Sequence, residues 1–93
     1  MSLDAIAEKI REKVSGSGFS KSVKFDLGSD GVIVIDGQNV TTTDADADCT
    51  ITISKDNFED LIAGELNPTM AFMTGKIKVA GDMSIAMQLS QVI

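Results

Sequence analysis

Three aspartates at alternate positions are the first residues of this chain that could do chemistry. Asp44, Asp46 and Asp48 resemble the opening of a calcium-binding loop, in which alternate oxygen ligands bind the ion. Such a loop also needs a glycine at its sixth position and a glutamate at its twelfth, where this chain has Cys49 and Lys55. We therefore predict a solvated acidic turn, and we expect neither a metal ion nor a cofactor.

Other candidates for catalysis or nucleotide binding are equally incomplete. Gly75-Lys76 resembles the end of a phosphate-binding loop, but Met70 replaces its first glycine and Ile77 replaces the magnesium-binding hydroxyl. The chain contains no histidine, which removes the usual general base and the commonest zinc ligand. Cys49 lies on the apolar face of a predicted strand, as a core thiol does. We predict that the protein is not an enzyme.

Composition narrows the class of protein further. Ninety-three residues predict a single domain over 1–93, and a net charge of −6 argues against nucleic acid as a partner. A lone cysteine cannot form an internal disulfide, and the charged start of the chain lacks the apolar stretch of a signal peptide. We therefore expect a cytoplasmic protein.

The periodicity of apolar residues predicts an α+β fold. A repeat of three and four predicts a first helix after Ser2, and Ser54, Asn67 and Asp82 are candidate caps of three more helices. Alternating apolar residues predict five strands, at 20–27, 32–35, 39–43, 49–53 and 76–79. Most strands have one apolar and one polar face. This pattern predicts a mostly antiparallel sheet with helices packed on one face.

The last third of the chain is more apolar than such a fold requires. Residues 67–93 contain four of the five methionines and three charges, yet they are too interrupted to cross a bilayer. About two thirds of the last helix is apolar, whereas a helix that covers a sheet needs about one third. Its apolar residues are Met83, Ile85, Ala86, Met87, Leu89, Val92 and Ile93. The apolar surface that the sheet does not cover must contact a ligand, a partner protein or a second subunit. Loose core packing by methionine remains an alternative.

Many positions of the second half match a known family in register. They are the run 47–53, Phe58, Leu61, Gly64, Asn67-Pro68, Ala71-Phe72-Met73, the run 75–79, Gly81-Asp82-Met83, Ala86-Met87 and Leu89. With these residues the chain resembles the sterol carrier protein 2 (SCP-2) family, and it resembles a small stand-alone member, which we expect to be prokaryotic. No single motif is diagnostic, but the combined match covers nearly half of the chain.

The resemblance implies a five-stranded sheet covered by helices that enclose a hydrophobic tunnel. The tunnel is expected to hold a fatty acid, an acyl-CoA, a phospholipid or a sterol-like lipid. Carried over by position, its wall would contain Phe58, Leu61, Ile62, Met70, Phe72, Met73, Ile77, Met83, Ala86 and Met87. The chain does not end in Ser-Lys-Leu, so the peroxisomal address of eukaryotic members is not implied. We expect no counterpart of the segment that follows the last helix in longer members and can cover the tunnel mouth, which leaves ligand choice and the closure of the tunnel open.

Two kinds of function remain at this point. The first is a lipid carrier, whose first helix could make transient contact with an anionic membrane through Lys9, Arg11 and Lys13. We favour simple packing of that helix on the sheet, with a solvated outer face. The second is a protein interaction or dimerisation module, an accessory domain to a lipid-handling enzyme, that uses the surplus apolar helix face. The oligomeric state is open.

Overall fold

A computed structural model describes residues 2–92, with the side chains of Ser90 and Val92 outside the description. Ile93, which the sequence assigns to the apolar surface of the last helix, lies outside the described residues. Within 2–92 the chain forms four α-helices and a five-stranded sheet. In chain order these are α1 (Leu3–Val14), β1 (Ser22–Asp26), β2 (Val32–Asp36), β3 (Asn39–Thr41), β4 (Cys49–Ile53), α2 (Lys55–Ile62), α3 (Pro68–Met73), β5 (Ile77–Gly81) and α4 (Met83–Val92).

The sheet has the strand order β3-β2-β1-β4-β5. β1 runs parallel to β4, and the other neighbouring strands are antiparallel. The predicted α+β class and the mostly antiparallel sheet are therefore confirmed. β4 has its predicted bounds, and the other four strands differ from the prediction by one or two residues at an end. β1 is shorter at both ends, β2 extends to Asp36 and β3 already ends at Thr41. β5 begins at Ile77 and extends to Gly81, which pairs with Cys49.

Each helix begins at the cap that the sequence predicts. The side chains of Ser2 and Ser54 accept hydrogen bonds from the main chain three residues further on, each at 3.2 Å. The Asn67 side chain accepts hydrogen bonds from the amides of Thr69 and Met70 at the start of α3. The Asp82 side chain accepts one from the amide two residues further on, at the start of α4. These caps satisfy amide groups that have no partner inside the helix. Among the described residues, no helix is both long and apolar enough to span a membrane.

The two faces of the sheet differ as the alternation predicts. One face is covered by the helices, and its core includes side chains from all four of them and from every strand. The other face is polar along β1 and β4, where Lys24 and Thr50 are half-buried. The acidic loop between β3 and β4 is tied to β1 by an ion pair between Lys24 Nζ and Asp44 Oδ1 at 2.7 Å. Hydrogen bonding by Asp44 raises the pKa of Lys24, and the same hydrogen bond lowers the pKa of Asp44.

Candidate functional site

The floor of a cavity is a row of side chains on the covered face of the sheet. Phe25 lies opposite Ile51 in the β1–β4 pairing, and Ile51 lies opposite Val79 in the β4–β5 pairing. Residues directly opposite each other share a face of the sheet, so the three side chains form one apolar row across three strands. Ile77, two residues before Val79 on β5, extends the floor along that strand.

Helices α2, α3 and α4 form the walls of the cavity, which has a volume of about 240 Å³. The residues that they contribute are Leu61, Pro68, Thr69, Phe72, Met83, Ala86 and Met87. Leu61 and Ala86 are buried, whereas Phe72 of α3 and Met83 of α4 are 44% and 42% exposed. The cavity therefore opens to solvent between α3 and α4.

Local sequence signals hold α3 beside this opening. The helix ends at Met73, and Gly75, two residues further on, adopts φ +79°, a left-handed conformation that glycine tolerates best. The Gly75 amide donates to Phe72 O at 3.2 Å and the Lys76 amide to Ala71 O at 2.8 Å. This pair of bonds is a Schellman motif. It turns the chain from α3 directly into β5, so that α3 stands over the edge of the sheet.

The start of α4 is fixed in a similar way. Gly81 has φ +103°, and a Cβ there would lie 2.6 Å from the carbonyl oxygen of Asp48, so a side chain is excluded. Asp82 follows at once and accepts hydrogen bonds from the Ser84 amide at 2.9 Å and the Ser84 hydroxyl at 2.6 Å. Hydrogen bonding by the Ser84 hydroxyl and amide lowers the pKa of Asp82. The negative charge of Asp82 therefore persists at the helix N-terminus, where it is stabilising.

The chemistry of the lining is that of a hydrocarbon pocket. Among the described residues that line the cavity, Thr69 has the one polar side chain and none is titratable. Such a surface can hold an apolar chain but offers no partner for a buried charge, because an unpaired charge is costly in an apolar environment. A charged headgroup would therefore stay at the opening, in water. Thr69 is therefore the one described lining residue that can donate a hydrogen bond from its side chain.

Six of the ten predicted wall residues line this cavity. They are Leu61, Phe72, Ile77, Met83, Ala86 and Met87. Phe58 lies behind the floor, where its ring stacks on that of Phe25 with 4.5 Å between centroids. Ile62 is buried in the core away from the cavity, and Met70 and Met73 project from α3 into solvent, 56% and 74% exposed. A direct role of any of these ten residues in lipid binding stays a prediction.

Sequence reasoning missed five residues of the lining. Phe25, Ile51 and Val79 had a usable signal, since the alternation within β1, β4 and β5 assigns each of them to the apolar face. What the pattern lacked was the strand order, which places the three strands side by side. Pro68 and Thr69 carried no such signal, because their place in the wall depends on the position of α3 relative to α4.

Two of the three aspartates of the acidic loop are engaged by neighbouring side chains. Asp44 pairs with Lys24, and Asp48 accepts a hydrogen bond from the Ser22 hydroxyl at 3.0 Å. Across residues 2–92, no three His, Cys, Asp or Glu side chains come together in a way that could hold a metal ion. Cys49 is buried in the core, and this burial raises the pKa of its thiol, which stays protonated at neutral pH.

Comparison with known proteins agrees with this architecture. The model of the SCP-2 sterol transfer family matches residues 2–93. Human sterol carrier protein 2 is 34% identical over 92 residues, which cover 94% of this chain and 17% of the human protein. The chain belongs to the SCP-2 sterol transfer family.

Solved structures show the same fold. The crystal structure of sterol carrier protein 2 like 2 from Aedes aegypti superposes with a TM-score of 0.82 at 24% identity, covering 100% of this chain and 97% of that one. The solution structure of palmitated SCP2L2 from the same mosquito gives a TM-score of 0.75 at 23% identity, covering 99% and 94%. At these identities the likeness shows the fold alone. The curated relatives that match 94% of this chain are much longer proteins. The chain spans about a sixth of their length.

Proposed function

We propose that this protein is a non-catalytic lipid carrier that holds an apolar chain in the cavity between the sheet and helices α3 and α4. The observation that carries the proposal is the lining, which is apolar apart from Thr69 and contains no titratable side chain among the described residues. Membership of the SCP-2 sterol transfer family and the palmitated mosquito relative support a lipid as the ligand. A fatty acid, an acyl-CoA, a phospholipid and a sterol-like lipid all satisfy the chemistry of the lining.

The size of the cavity favours a single acyl chain. Its volume of about 240 Å³ is slightly below the roughly 300 Å³ at which most ligand pockets begin. A bulky ligand therefore requires the walls to move. Met83 and Met87 stand at the opening and are unbranched, so they can change rotamer at little cost. We propose that these methionines adjust the cavity to the ligand and that a tunnel forms in this way.

A fluorescent fatty-acid probe tests this function directly. We expect the wild-type protein to bind the probe at micromolar concentration as a monomer. Met83→Glu should weaken binding by about tenfold or more, because it places a carboxylate beside the apolar chain. Ala86→Phe should weaken binding by filling the cavity without adding charge. Met73→Glu is the matched control, since Met73 lies outside the cavity on α3.

The two cavity variants separate a binding defect from a folding defect. Circular dichroism and thermal unfolding establish which variants are folded. Undiminished probe binding by folded Met83→Glu and folded Ala86→Phe would contradict the assignment of the cavity. Wild-type protein that ignores the probe and elutes as a dimer would instead support an interaction module.

Membrane contact through the first helix stays a prediction. The structure supplies one observation against a strong contact, since Arg11 is engaged by Glu8 and donates to Val40 O at 2.8 Å. Lys9 and Lys13 are exposed and remain accessible to an anionic surface. A cytoplasmic location also stays a prediction.

A further inference from the structure

Helix α3 presents its largest apolar side chains to water. Met70, Phe72 and Met73 are 56%, 44% and 74% exposed, whereas Ala71 between them is completely buried. A helix on a protein surface normally turns its large apolar residues inward. We call Met70, Phe72 and Met73 the apolar rim. A contiguous exposed apolar patch of this kind marks an interaction site.

The apolar rim adjoins the opening of the cavity. Phe72 belongs to both, since it lines the cavity and is also exposed. Met83 and Met87 of α4, on the other side of the opening, are 42% and 61% exposed. A lipid that leaves the cavity therefore passes over apolar side chains. A surface that covered the rim would also cover the opening.

The distribution of charge indicates what could cover the rim. Residues 1–66 contain six bases and thirteen acids, a net charge of −7, whereas residues 67–93 contain two bases and one acid, a net charge of +1. The sum is the −6 of the whole chain. The segment that contains the rim, residues 67–81, has two lysines and no acid, whereas the protein as a whole is acidic. Among the parts of the sequence, this segment is therefore the one whose own charge favours an anionic surface.

One of the two bases is fixed beside the rim by the main chain. The Lys76 amide donates to Ala71 O at 2.8 Å, which holds Lys76 at the C-terminal end of α3. Lys76 is exposed, as are the apolar side chains of the rim. Exposed apolar side chains next to a base are the combination that inserts into the interface of an anionic bilayer.

We propose that the apolar rim and Lys76 dock the protein onto an anionic membrane surface with the cavity opening facing the bilayer. In this orientation a lipid moves between the bilayer and the cavity without crossing water. The proposal rests on the proposed carrier function. A second copy of the chain fits the rim less well, because the segment 67–81 contains two lysines and no acid. A two-fold contact through it would bring like charges together.

The first helix lacks the properties that the rim provides. The three bases of α1 are balanced by three acids, Asp4, Glu8 and Glu12. Its apolar stripe is already buried in the core, with Ile6 and Ile10 at 0% exposure. An interfacial helix needs an apolar face that is free to enter the bilayer. The observations therefore favour α3 over α1 as the membrane-facing element.

Sedimentation with vesicles tests the docking. The vesicles consist of phosphatidylcholine with or without phosphatidylserine. Met70→Ser/Met73→Ser should lower partitioning by about a hundredfold, since it removes two apolar side chains without changing charge. Lys76→Glu should lower it by about tenfold on vesicles that contain phosphatidylserine. The matched control is Lys9→Glu/Lys13→Glu on α1, which should change partitioning by less than about threefold. The reason is that α1 packs against β3, at the opposite end of the sheet from α3 and β5, so its charges are screened from a surface docked at the rim.

Parallel measurements separate this proposal from the carrier function. The Met70→Ser/Met73→Ser variant should keep its affinity for the fatty-acid probe in solution, because neither residue lines the cavity. Wild-type protein that binds the probe but not the vesicles would overturn the docking proposal alone. Wild-type protein that binds the vesicles but not the probe would overturn the carrier function alone. A dimer that the rim substitutions convert to monomer would assign the rim to self-association and overturn docking.

Discussion

The two ends of the sheet are covered in different ways. At the β3 end, α1 packs against β3 and α2 and buries most of its apolar stripe, with Ile6, Ile10 and Val14 at 0% exposure. At the β5 end, α3 and α4 leave a cavity of about 240 Å³ and expose large apolar side chains around it. The first end is a packed core, and the second has the properties of a binding site.

The difference originates in how each helix distributes its apolar residues. In α1 they form one stripe, which is buried from Ile6 to Val14, while Leu3 at its start is partly buried. In α4 they surround most of the helix: Ile85 and Leu89 are buried, while Met83 and Met87 remain partly exposed at the opening. The contrast teaches that a helix such as α4, which has more apolar surface than the sheet can cover, leaves an apolar space beside it.

The largest expected effect is on stability at the packed end. Ile10→Ala should lower the free energy of unfolding by about 2–5 kcal/mol, because the core around a fully buried side chain cannot collapse to fill the space. Met83→Ala, at the open end, should lower it by less than about 1 kcal/mol because Met83 is already partly solvated. Urea denaturation measures both values.

The same pair of variants should behave in the opposite way toward the fatty-acid probe. Met83→Ala should change the affinity, whereas Ile10→Ala should leave it intact in the folded fraction. Equal losses of stability in the two variants would contradict the distinction between the two ends of the sheet.

A smaller effect is expected at the glycines that position α3 and α4. Gly81→Ala should lower the free energy of unfolding by more than about 2 kcal/mol, because its Cβ would meet Asp48 O in addition to the unfavourable φ. Gly75→Ala should cost about 1–2 kcal/mol, since it has a positive φ but no atom near its Cβ. Thermal unfolding compares the two, and a larger loss in Gly75→Ala would contradict the close approach at Gly81.

The smallest expected effect concerns pH. The pKa of Asp82 is lowered in the folded protein by its hydrogen bonds with Ser84. The stability that this carboxylate contributes is therefore present at neutral pH and is lost as pH falls below its unfolded value of about 4. Asp82→Asn should make the loss of stability between neutral and acid pH shallower. Asp60→Asn is the control. If stability fell with pH in the same way in the wild type and in Asp82→Asn, a specific contribution of this cap would be contradicted.

Most of the fold could be predicted because its signals are local. The caps at Ser2, Ser54, Asn67 and Asp82 mark the helices, and alternation marks the strands. The order of the strands could not be read from periodicity, since the pairing of β1 with β4 joins segments that are distant in the chain. The α+β class followed from the local pattern and the family resemblance implied the same sheet of five strands, but the strand order was not predicted.

The candidate site was predicted less completely for the same reason. The pattern within α4 alone identifies apolar residues that the sheet does not need for its cover. Three of them, Met83, Ala86 and Met87, do line the cavity. Met70 and Met73 are just as apolar but project outward, because the register of α3 turns Ala71 inward instead. Periodicity cannot set that register in a helix of six residues.

The central claim is that the open end of the sheet holds a lipid. Native mass spectrometry of the protein purified without delipidation tests it most directly, followed by solvent extraction and identification of what is released. We predict a species heavier than the bare chain by the mass of an acyl lipid, and its loss in Ala86→Phe. A spectrum with the bare chain alone, from a protein that also fails to take up any added acyl lipid, would contradict the claim.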